Sequence, residues 1–308
     1  MEHPPRLFVL DTVMVDVMMK VAALPVLGSD IRASTHLITT GGGFNVMSAA
    51  ARHGMTAVYA GQLGTGPTSA IALASLRREG IDVPVGVDPD VDLGFCLVLV
   101  DDNGERTFVT STGAELCLTL ADLDSIRVDS GDYVFLSGYN LVYPEIGASV
   151  TKWIEGLDSG VIVAFDPGPR FADIPQELWR RSLARTDWLF CNTAEGLSLS
   201  AESSLDTGMG ILLAMTGRGG VIVHDGAQGC RVATRKIGPT RVAGFSVDVV
   251  DTNGAGDTHN GVVLAELARG TFVLDAARRA NAAAALAVGR LGPATCPTRD
   301  EVSAWMAL

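Results

Sequence analysis

Residues 251–257, with the sequence Asp-Thr-Asn-Gly-Ala-Gly-Asp, combine two glycines with two acids and precede a helical pattern. The apolar run over 247–250 predicts a strand that leads into a glycine turn. Gly254 and Gly256 allow a sharp turn and a close approach of the backbone to a ligand. The unpaired N–H groups of the following helix lie at the positive end of its dipole, where anions bind. The segment therefore predicts a phosphate-binding turn.

Asp257, the last residue of this segment, has two interpretations. A carboxylate at the start of a helix can simply stabilise that helix end. A carboxylate beside a phosphate-binding turn can also take a proton from an attacking hydroxyl. Because Asp251 and Thr252 already precede the helix, a purely structural role is less favoured, and we predict that Asp257 is a general base.

A second glycine segment lies at residues 41–43, directly before a predicted helix over 44–53. Three consecutive glycines expose backbone against which a polyol can lie. Asn45 adds a donor and an acceptor at the start of that helix. Glycine-rich turns are common in α/β proteins, so this segment indicates a substrate loop only in combination with the first one.

The composition excludes several classes of protein. The chain has 308 residues, of which 47% are hydrophobic and 19% charged, and its formal net charge is −12. Such a chain can bury a large core and is not disordered. An acidic chain without a basic cluster is a poor match for nucleic-acid binding. Its uncharged stretches are interrupted by Gly, Ser, Asn and Pro, so we predict no membrane span.

The cysteines and the absence of certain sequence motifs exclude further classes of protein and indicate a cellular location. The five cysteines are scattered without a CxxC pair, and the N-terminus lacks the pattern of a signal peptide. We therefore predict reduced thiols, no zinc site and a cytoplasmic location. The chain has no GxxxxGK[ST] sequence, which excludes a P-loop enzyme.

Short apolar runs alternate with helical patterns along most of the chain. The predicted strands are 7–10, 58–60, 95–100, 107–110, 133–136, 161–165, 188–191, 211–214 and 221–224, and the predicted helices are 44–53, 68–79, 145–157, 175–185, 257–268 and 273–289. This alternation predicts an α/β fold with a mostly parallel sheet covered on both faces. Residues 12–40 and a hairpin around Asn103-Gly104 do not fit it, and we predict that they form an antiparallel appendage on the main sheet.

Together, these segments resemble the ribokinase (PfkB) family of carbohydrate kinases. Residues 251–257 look like the C-terminal DTxGAGD signature of that family, and residues 41–45 look like its N-terminal signature. The resemblance implies that Asp257 is the base and that the amides of Gly254, Ala255 and Gly256 stabilise the transferring phosphoryl group. The implied sugar-binding residues are Asp16, Gly41, Gly42, Gly43 and Asn45. The implied ATP-binding residues are Asn192, Gly217, Gly219, Gly220 and Asn281.

The same resemblance implies two metal ions. Residues 192–195 match the NxxE motif of the family, so Glu195 is expected to reach Mg²⁺ through water. A monovalent cation such as K⁺ is expected in a loop formed by Asp251, Asn253, Ala287, Arg290, Gly292 and Cys296. Cys296 stands where the family usually has Ser, and a thiol is a poor ligand for a hard ion. His259 stands where the family more often has Phe.

The implied fold is a single ribokinase-like domain over 1–308, with a small β-sheet lid built from about 12–40 and 92–113. The implied activity is ATP-dependent phosphorylation of a sugar-type hydroxyl. The implied partners are a sugar or nucleoside and a second copy of the chain that pairs through the lid, without nucleic acid or membrane.

Three alternatives remain open at this point. In a nucleoside kinase of the same family, apolar residues such as Phe95 and Phe108 would cover a base. A non-catalytic sugar-binding protein would share the fold, but the intact turn with Asp257 argues against it. An NAD-dependent dehydrogenase is the third, although the glycine-containing run 61–66 lacks the GxGxxG spacing.

Overall fold

The first strand of the chain lies inside the main sheet and not at its edge. The computed structural model describes residues 3–103 and 105–307, which form twelve strands. In chain order they are β1 (Arg6–Leu10), β2 (Val13–Lys20), β3 (Thr35–Gly42), β4 (Thr56–Tyr59), β5 (Phe95–Val100), β6 (Arg106–Ser111), β7 (Tyr133–Ser137), β8 (Ile162–Asp166), β9 (Trp188–Asn192), β10 (Gly220–His224), β11 (Gly229–Thr234) and β12 (Thr240–Ala243). Eight of them form the main sheet in the order β12-β11-β10-β9-β8-β7-β1-β4.

Most pairs in the main sheet are parallel. Neighbouring strands from β10 to β4 run parallel, whereas β11 and β12 add an antiparallel edge. Helices cover both faces of the parallel part, so its strands are apolar at successive positions. In β1, Leu7 and Val9 pack into one core cluster, and Phe8 and Leu10 pack into the other. The predicted α/β fold with a mostly parallel sheet is confirmed.

Eleven α-helices in the described residues complete the fold. They are α1 (Gly43–Arg52), α2 (Pro67–Arg78), α3 (Leu120–Asp124), α4 (Gly138–Leu141), α5 (Pro144–Gly156), α6 (Gln176–Arg185), α7 (Thr193–Ser200), α8 (Leu205–Met215), α9 (Ala255–Ala268), α10 (Val273–Val288) and α11 (Arg299–Met306). One core cluster contains residues of α1, α2, α9, α10 and α11, and the other contains residues of α3, α5, α6, α7 and α8. In this part of the chain, none of the helices has both the length and the apolar character needed to cross a bilayer.

The segments that broke the alternation form a separate sheet in the order β3-β2-β5-β6. Its β2 and β5 strands are parallel, and its outer pairs are antiparallel. The implied small β-sheet from residues 12–40 and 92–113 is confirmed, but it is a separate sheet of mixed direction and not an antiparallel appendage hydrogen-bonded to the main sheet. The main sheet has no free edge at β1, because β4 and β7 bond to it on both sides. The predicted hairpin is present as β5 and β6, but Gly104 in its turn lies outside the described residues.

Two predicted strands are wrong. Residues 211–214 belong to α8, which buries Leu205, Met209 and Leu212 at the four- and three-residue spacing of one helix face. Residues 247–250 form no strand; Val249 and Val250 are exposed there, and the Val250 N–H donates to the Val288 carbonyl. Apolar composition alone does not separate a short strand from a helix or an exposed loop.

Candidate active site

The carboxyl ends of five parallel strands meet at one edge of the main sheet. The strands β1, β7, β8, β9 and β10 end at Leu10, Ser137, Asp166, Asn192 and His224. In open α/β sheets, ligands bind in the crevice outside these ends. Asp257 lies near the ends of β1 and β8, so that its charge raises the pKa of both Asp11 and Asp166.

A hydrogen bond joins the two glycine segments that the sequence singled out. Asn45 Nδ2 donates to Asp257 Oδ2 across 2.9 Å, although the two residues are 212 positions apart. They lie in the first turns of α1 and α9. These two helices approach closely because Gly261 has no side chain, and a Cβ at that position would overlap the Val46 carbonyl oxygen. Burial raises the pKa of Asp257, and the Asn45 bond lowers it. A carboxylate with a raised pKa is a stronger base, which general-base catalysis requires.

Asp11 is a second carboxyl group at this site that the sequence reasoning missed. It follows β1 directly, is buried, and accepts from the Thr12 N–H at 2.7 Å. Burial and the charge of Asp257 raise the pKa of Asp11 to about 7, against the opposing effects of Ser137 and Thr12. The signal available in the sequence was an acid directly after an apolar strand.

We expect Asp11→Asn to stabilise the protein at alkaline pH. Because the folded state raises the pKa of Asp11, the folded state holds that proton more tightly than the unfolded state. The resulting stability is complete below the unfolded pKa and is lost as pH rises through about 7. Asparagine cannot ionise, so the variant should gain on the order of 4 kcal/mol at about pH 8 and little at about pH 3, below the unfolded pKa.

Urea unfolding at both pH values measures this gain. Asp124→Asn, which changes an exposed acid at the end of α3, is the control and should show no such pH dependence. An equal effect of Asp11→Asn at both pH values would mean that Asp11 does not titrate in the folded protein.

A third acidic group lies where β8 and β9 end. Asp166 accepts from Asn260 Nδ2 at 2.7 Å and from the Gly168 N–H at 3.0 Å. Burial, Glu195 and Asp257, in that order, raise the pKa of Asp166 well above its usual range. Buried carboxylates that repel one another favour a cation, and oxygen ligands of this kind suit Mg²⁺. The residues present therefore fit a magnesium site, with Asp166 as a candidate that the sequence reasoning did not name.

Asn192 and Glu195 form a reciprocal capping box at the start of α7. Asn192 Oδ1 accepts from the Glu195 N–H at 2.9 Å, and Glu195 Oε2 accepts from the Asn192 N–H at 2.8 Å. Burial raises the pKa of Glu195. The predicted role of Glu195 toward magnesium stays a prediction, and this local bond orients its carboxylate.

The glycines at 41–43 pack against Asp11, which directly follows β1, and Asp16 of β2. A Cβ at Gly41 would lie 3.2 Å from Asp16 Cγ, and one at Gly43 would lie 2.8 Å from Asp11 Cβ. Gly42 has a φ of 63°, which disfavours any residue with a side chain. Burial raises the pKa of Asp16 to about 6. The structure thus brings the predicted sugar-binding residues together. Gly41 lies beside Asp16, and Asn45, in the helix that follows the glycines, donates a hydrogen bond to Asp257.

A cavity of about 610 Å³ lies beside the predicted phosphate-binding turn at residues 251–257. Ala255 and Gly256 line one side of it, and Gly226, Gly229 and Asn281 line others. Its volume is in the range of cofactor-sized and nucleotide-sized pockets. The first helical turn of α9 therefore borders a pocket large enough for a nucleotide.

Two neutral histidines lie in the wall of this cavity. The rings of His224 and His259 are 4.7 Å apart in an edge-on arrangement. Burial lowers the pKa of His224 to about 4 and, together with His224, lowers that of His259. His259 Nε2 contacts Asn281 Oδ1 at 3.1 Å, and Asn281 Nδ2 donates to the Val242 and Ala243 carbonyls. His259 thus holds the amide of Asn281 in a fixed orientation.

Comparison with known proteins agrees with this geometry. The model of the pfkB family carbohydrate kinases matches residues 5–300. The chain belongs to the pfkB family of carbohydrate kinases. Its members transfer phosphoryl groups to hydroxyl groups, and the predicted family and enzyme class are confirmed.

Two curated relatives and one solved structure illustrate the similarity. The uncharacterised sugar kinase YegV of Escherichia coli is 32% identical over 96% of this chain and 92% of its own length. The ATP-dependent ribose-1-phosphate kinase of Halopiger xanaduensis is 29% identical over 94% of each chain. A candidate ribokinase II from Escherichia coli, solved with ATP and Mg²⁺, has a TM-score of 0.86, 23% identity and coverage of 98% of this chain and 99% of its own.

In this pfkB kinase, Gly217, Gly219 and Gly220 do not reach the cavity. Gly220 begins β10 and pairs with Trp188, the first residue of β9, so these glycines lie at the opposite edge of the sheet. A Cβ at Gly219 would overlap the Asp187 carbonyl, so close packing alone accounts for a glycine at this position. Their predicted ATP contacts do not fit this position. The glycine turn at 226–229, after the carboxyl end of β10, lines the cavity and was missed.

The loop expected to hold a monovalent cation in this kinase already binds groups of the protein itself. The Asp251 carboxylate accepts from the Asn253 and Gly292 N–H groups and forms an ion pair with Arg106. The Ala287 carbonyl accepts from the Arg290 N–H and the Thr295 hydroxyl, and the Cys296 carbonyl accepts from Arg52. Burial raises the pKa of the Cys296 thiol to about 12, so it stays neutral. These residues do not fit a potassium site.

Proposed function

We propose that this kinase transfers the γ-phosphoryl group of ATP to a hydroxyl of a carbohydrate, with Asp257 as the general base. The observation that carries this proposal is the Asn45–Asp257 hydrogen bond at the helix start whose residues Ala255 and Gly256 border the 610 Å³ cavity. Phosphoryl acceptor and donor would meet across this one turn. That arrangement supports in-line transfer.

The acceptor side is built from acids and amides. Because Asn45 binds Oδ2 of Asp257, Oδ1 is left to accept the proton of the substrate hydroxyl. The deprotonated oxygen then attacks the γ-phosphorus, and ADP leaves. Asp16, beside Gly41, is placed to accept hydrogen bonds from other hydroxyls of the same sugar.

The donor side combines backbone amides with a prepared pocket. The N–H groups of residues 254–256 stabilise charge on the transferring phosphoryl group. The adenosine part would occupy the cavity lined by Gly226, Gly229 and Asn281. Mg²⁺, for which Asp166 and Glu195 are the candidate ligands, directly or through water, would neutralise phosphate charge when bound. ATP and Mg²⁺ in the similar Escherichia coli structure support this part of the proposal.

The small sheet is proposed as a lid over the acceptor side. It carries Asp16 on β2, and the ion pair between Arg106 of β6 and Asp251 connects it to the anion-binding turn. Its exposed apolar side chains include Ile38, Phe95 and Val109, which is consistent with pairing of two copies through the lid.

All five cysteines are free thiols, which supports a location in the cytoplasm.

A nucleoside kinase of the same family is the second candidate. Phe108 pairs with Val98 in a register that places it on the same face of the small sheet as Asp16, and it is exposed. A base bound there could stack on this ring. Phe108→Ala would then impair phosphorylation of a nucleoside and leave that of a free sugar unchanged.

An ATP-consumption screen over sugars, sugar phosphates and nucleosides tests the proposal. We expect acceptor-dependent ADP formation with at least one sugar, slowed by on the order of a hundredfold or more in the Asp257→Asn variant. Turnover with nucleosides alone would select the second candidate. ATP consumption with none of the three classes would reject both.

We expect Asn45→Ala to move the acid limb of the pH–rate profile to higher pH. The Asn45 amide stabilises the ionised form of Asp257, and its loss raises the pKa of the base. The free energy of a hydrogen bond to a charged group corresponds to a pKa change of about one to two, so the acid limb should move by a similar amount of pH. The variant should also bind sugar more weakly while its ATP affinity changes little.

Measurement of kcat/KM against pH detects the shift. Ser48→Ala, one turn further along α1, removes only a bond to the Asn45 carbonyl and serves as the matched control. An unchanged acid limb in Asn45→Ala would show that this amide does not tune the base.

A further inference from the structure

Two guanidinium groups contact the loop where the family resemblance implied a monovalent cation. Arg106 reaches it from β6 of the small sheet and pairs with Asp251. Arg52 reaches it from α1 and donates from Nη1 to the Ala294 and Cys296 carbonyls at 2.8 and 2.7 Å. The Asp251 carboxylate and the Cys296 carbonyl, which belong to two of the residues expected to surround the cation, therefore already bind cationic side chains.

The Arg106–Asp251 pair is well shielded from water. The Asp251 side chain is 1% exposed and that of Arg106 is 23% exposed. Besides Arg106, the carboxylate oxygens of Asp251 accept two backbone N–H groups, from Asn253 and Gly292. A buried carboxylate requires a compensating positive charge, and Arg106 supplies it. A dissolved cation would have to displace that guanidinium.

Arg52 is held in place by a second ion pair. Its Nε and Nη2 donate to the Glu79 carboxylate at 3.1 and 2.6 Å, which leaves Nη1 to bind the loop carbonyls. Fixed on one side by Glu79, this guanidinium binds carbonyl oxygens much as a small cation would. Its position does not depend on the small sheet, since both Arg52 and Glu79 belong to the main body.

Asp251 connects these charges to the phosphate-binding turn. The Asn253 N–H that it accepts belongs to the residue directly before Gly254. Ordering of the Asp251 carboxylate therefore orders the start of the turn whose residues Ala255 and Gly256 border the cavity. The charge that does this comes from a strand of the small sheet, so the turn and the lid are coupled by one ion pair.

We propose that Arg106 and Arg52 replace the monovalent cation in this kinase, and that Arg106 is a positioning residue that orders the phosphate-binding turn when the small sheet is closed. This inference rests on the proposed function for its nucleotide readout. It predicts a protein whose stability and ADP affinity do not respond to K⁺. It also predicts that removing Arg106 creates such a response.

The test compares chloride salts of K⁺, Na⁺ and tetramethylammonium at equal ionic strength. The thermal midpoint of the ligand-free protein and the calorimetric Kd for ADP with Mg²⁺ are measured in each salt. Wild-type protein should give the same values in all three. A higher midpoint or tighter ADP binding in K⁺ would overturn the proposal.

Arg106→Ala should bind ADP about tenfold more weakly in tetramethylammonium, the scale of one lost charged hydrogen bond. K⁺ should restore part of that affinity, a response that a merely structural role would not produce. Arg106→Lys should retain most of it. Lys20→Ala, an exposed cation of the same sheet, is the matched control and should resemble wild type.

Unchanged ADP affinity in Arg106→Ala, without any response to K⁺, would overturn the role of Arg106. A wild-type protein that binds no ADP in any salt would contradict the proposed function instead. In that case, the thermal midpoints of the ligand-free protein still decide whether K⁺ binds. Circular dichroism of each variant confirms that it is folded.

Discussion

Asp257→Asn should lower kcat by on the order of a hundredfold or more, the contribution of a positioned general base. Asparagine has nearly the same shape and can still bond to Asn45, but it cannot accept a proton from the substrate hydroxyl. The anion-binding turn is unchanged, so ATP should bind with wild-type affinity. Steady-state kinetics and calorimetry with ATP measure the two effects separately.

The control for this variant is Asp275→Asn. Asp275 is an exposed acid in the first turn of α10, so it reports the cost of removing a carboxylate from a helix start. It should lose no turnover. Near-wild-type turnover of the purified Asp257→Asn protein would remove Asp257 from the mechanism.

Chelation of divalent metal should abolish activity, and Mg²⁺ should restore it. The edge of the sheet where the phosphates would lie carries Asp11, Asp166, Glu195 and Asp257, and burial or mutual repulsion raises the pKa of each. A triphosphate brought to this acidic edge requires a cation that neutralises phosphate charge. ADP formation in excess chelator should therefore fall to the uncatalysed background.

Glu195→Gln separates the metal role from the structural one. Glutamine preserves the capping box with Asn192 but removes the charge. The variant should need more Mg²⁺ for half-maximal activity while its thermal stability stays close to wild type. Full activity of the wild-type enzyme in excess chelator would contradict the metal requirement.

The sequence predicted the main sheet well because its strands carry a local signal. Apolar runs such as 133–136 and 221–224 are too short for helices and are separated by helix-length segments. Residues 211–214 misled the prediction because Leu212 and its apolar neighbours look like a strand when the Ser204 cap and the helical spacing from Leu205 are not considered. Local patterning alone did not separate the small sheet from the main one, because the separation depends on which strands occupy the two edges of β1; only the family resemblance implied it.

The site was only partly predictable. Glycine segments carry a motif, so Asn45 and Asp257 could be named, and the structure places them in contact. Asp11 belongs to no motif, and only burial beside Asp257 gives it chemical meaning. The glycine turns at 217–220 and 226–229 flank the same strand, and strand direction would have favoured the second, at the carboxyl end.

The pairing of α1 with α9 has a consequence for synthesis of the chain on the ribosome. Val46 and its neighbours in α1 pack against Gly261, so one face of an early helix lacks its partner until residues 255–268 emerge. Domains generally fold as units during synthesis, and this contact spans most of the chain. A chain that stops after β12 contains the glycine turn at 226–229 but not the base. Premature termination there should therefore yield a polypeptide with exposed apolar surface, dependent on chaperones and unable to transfer phosphate.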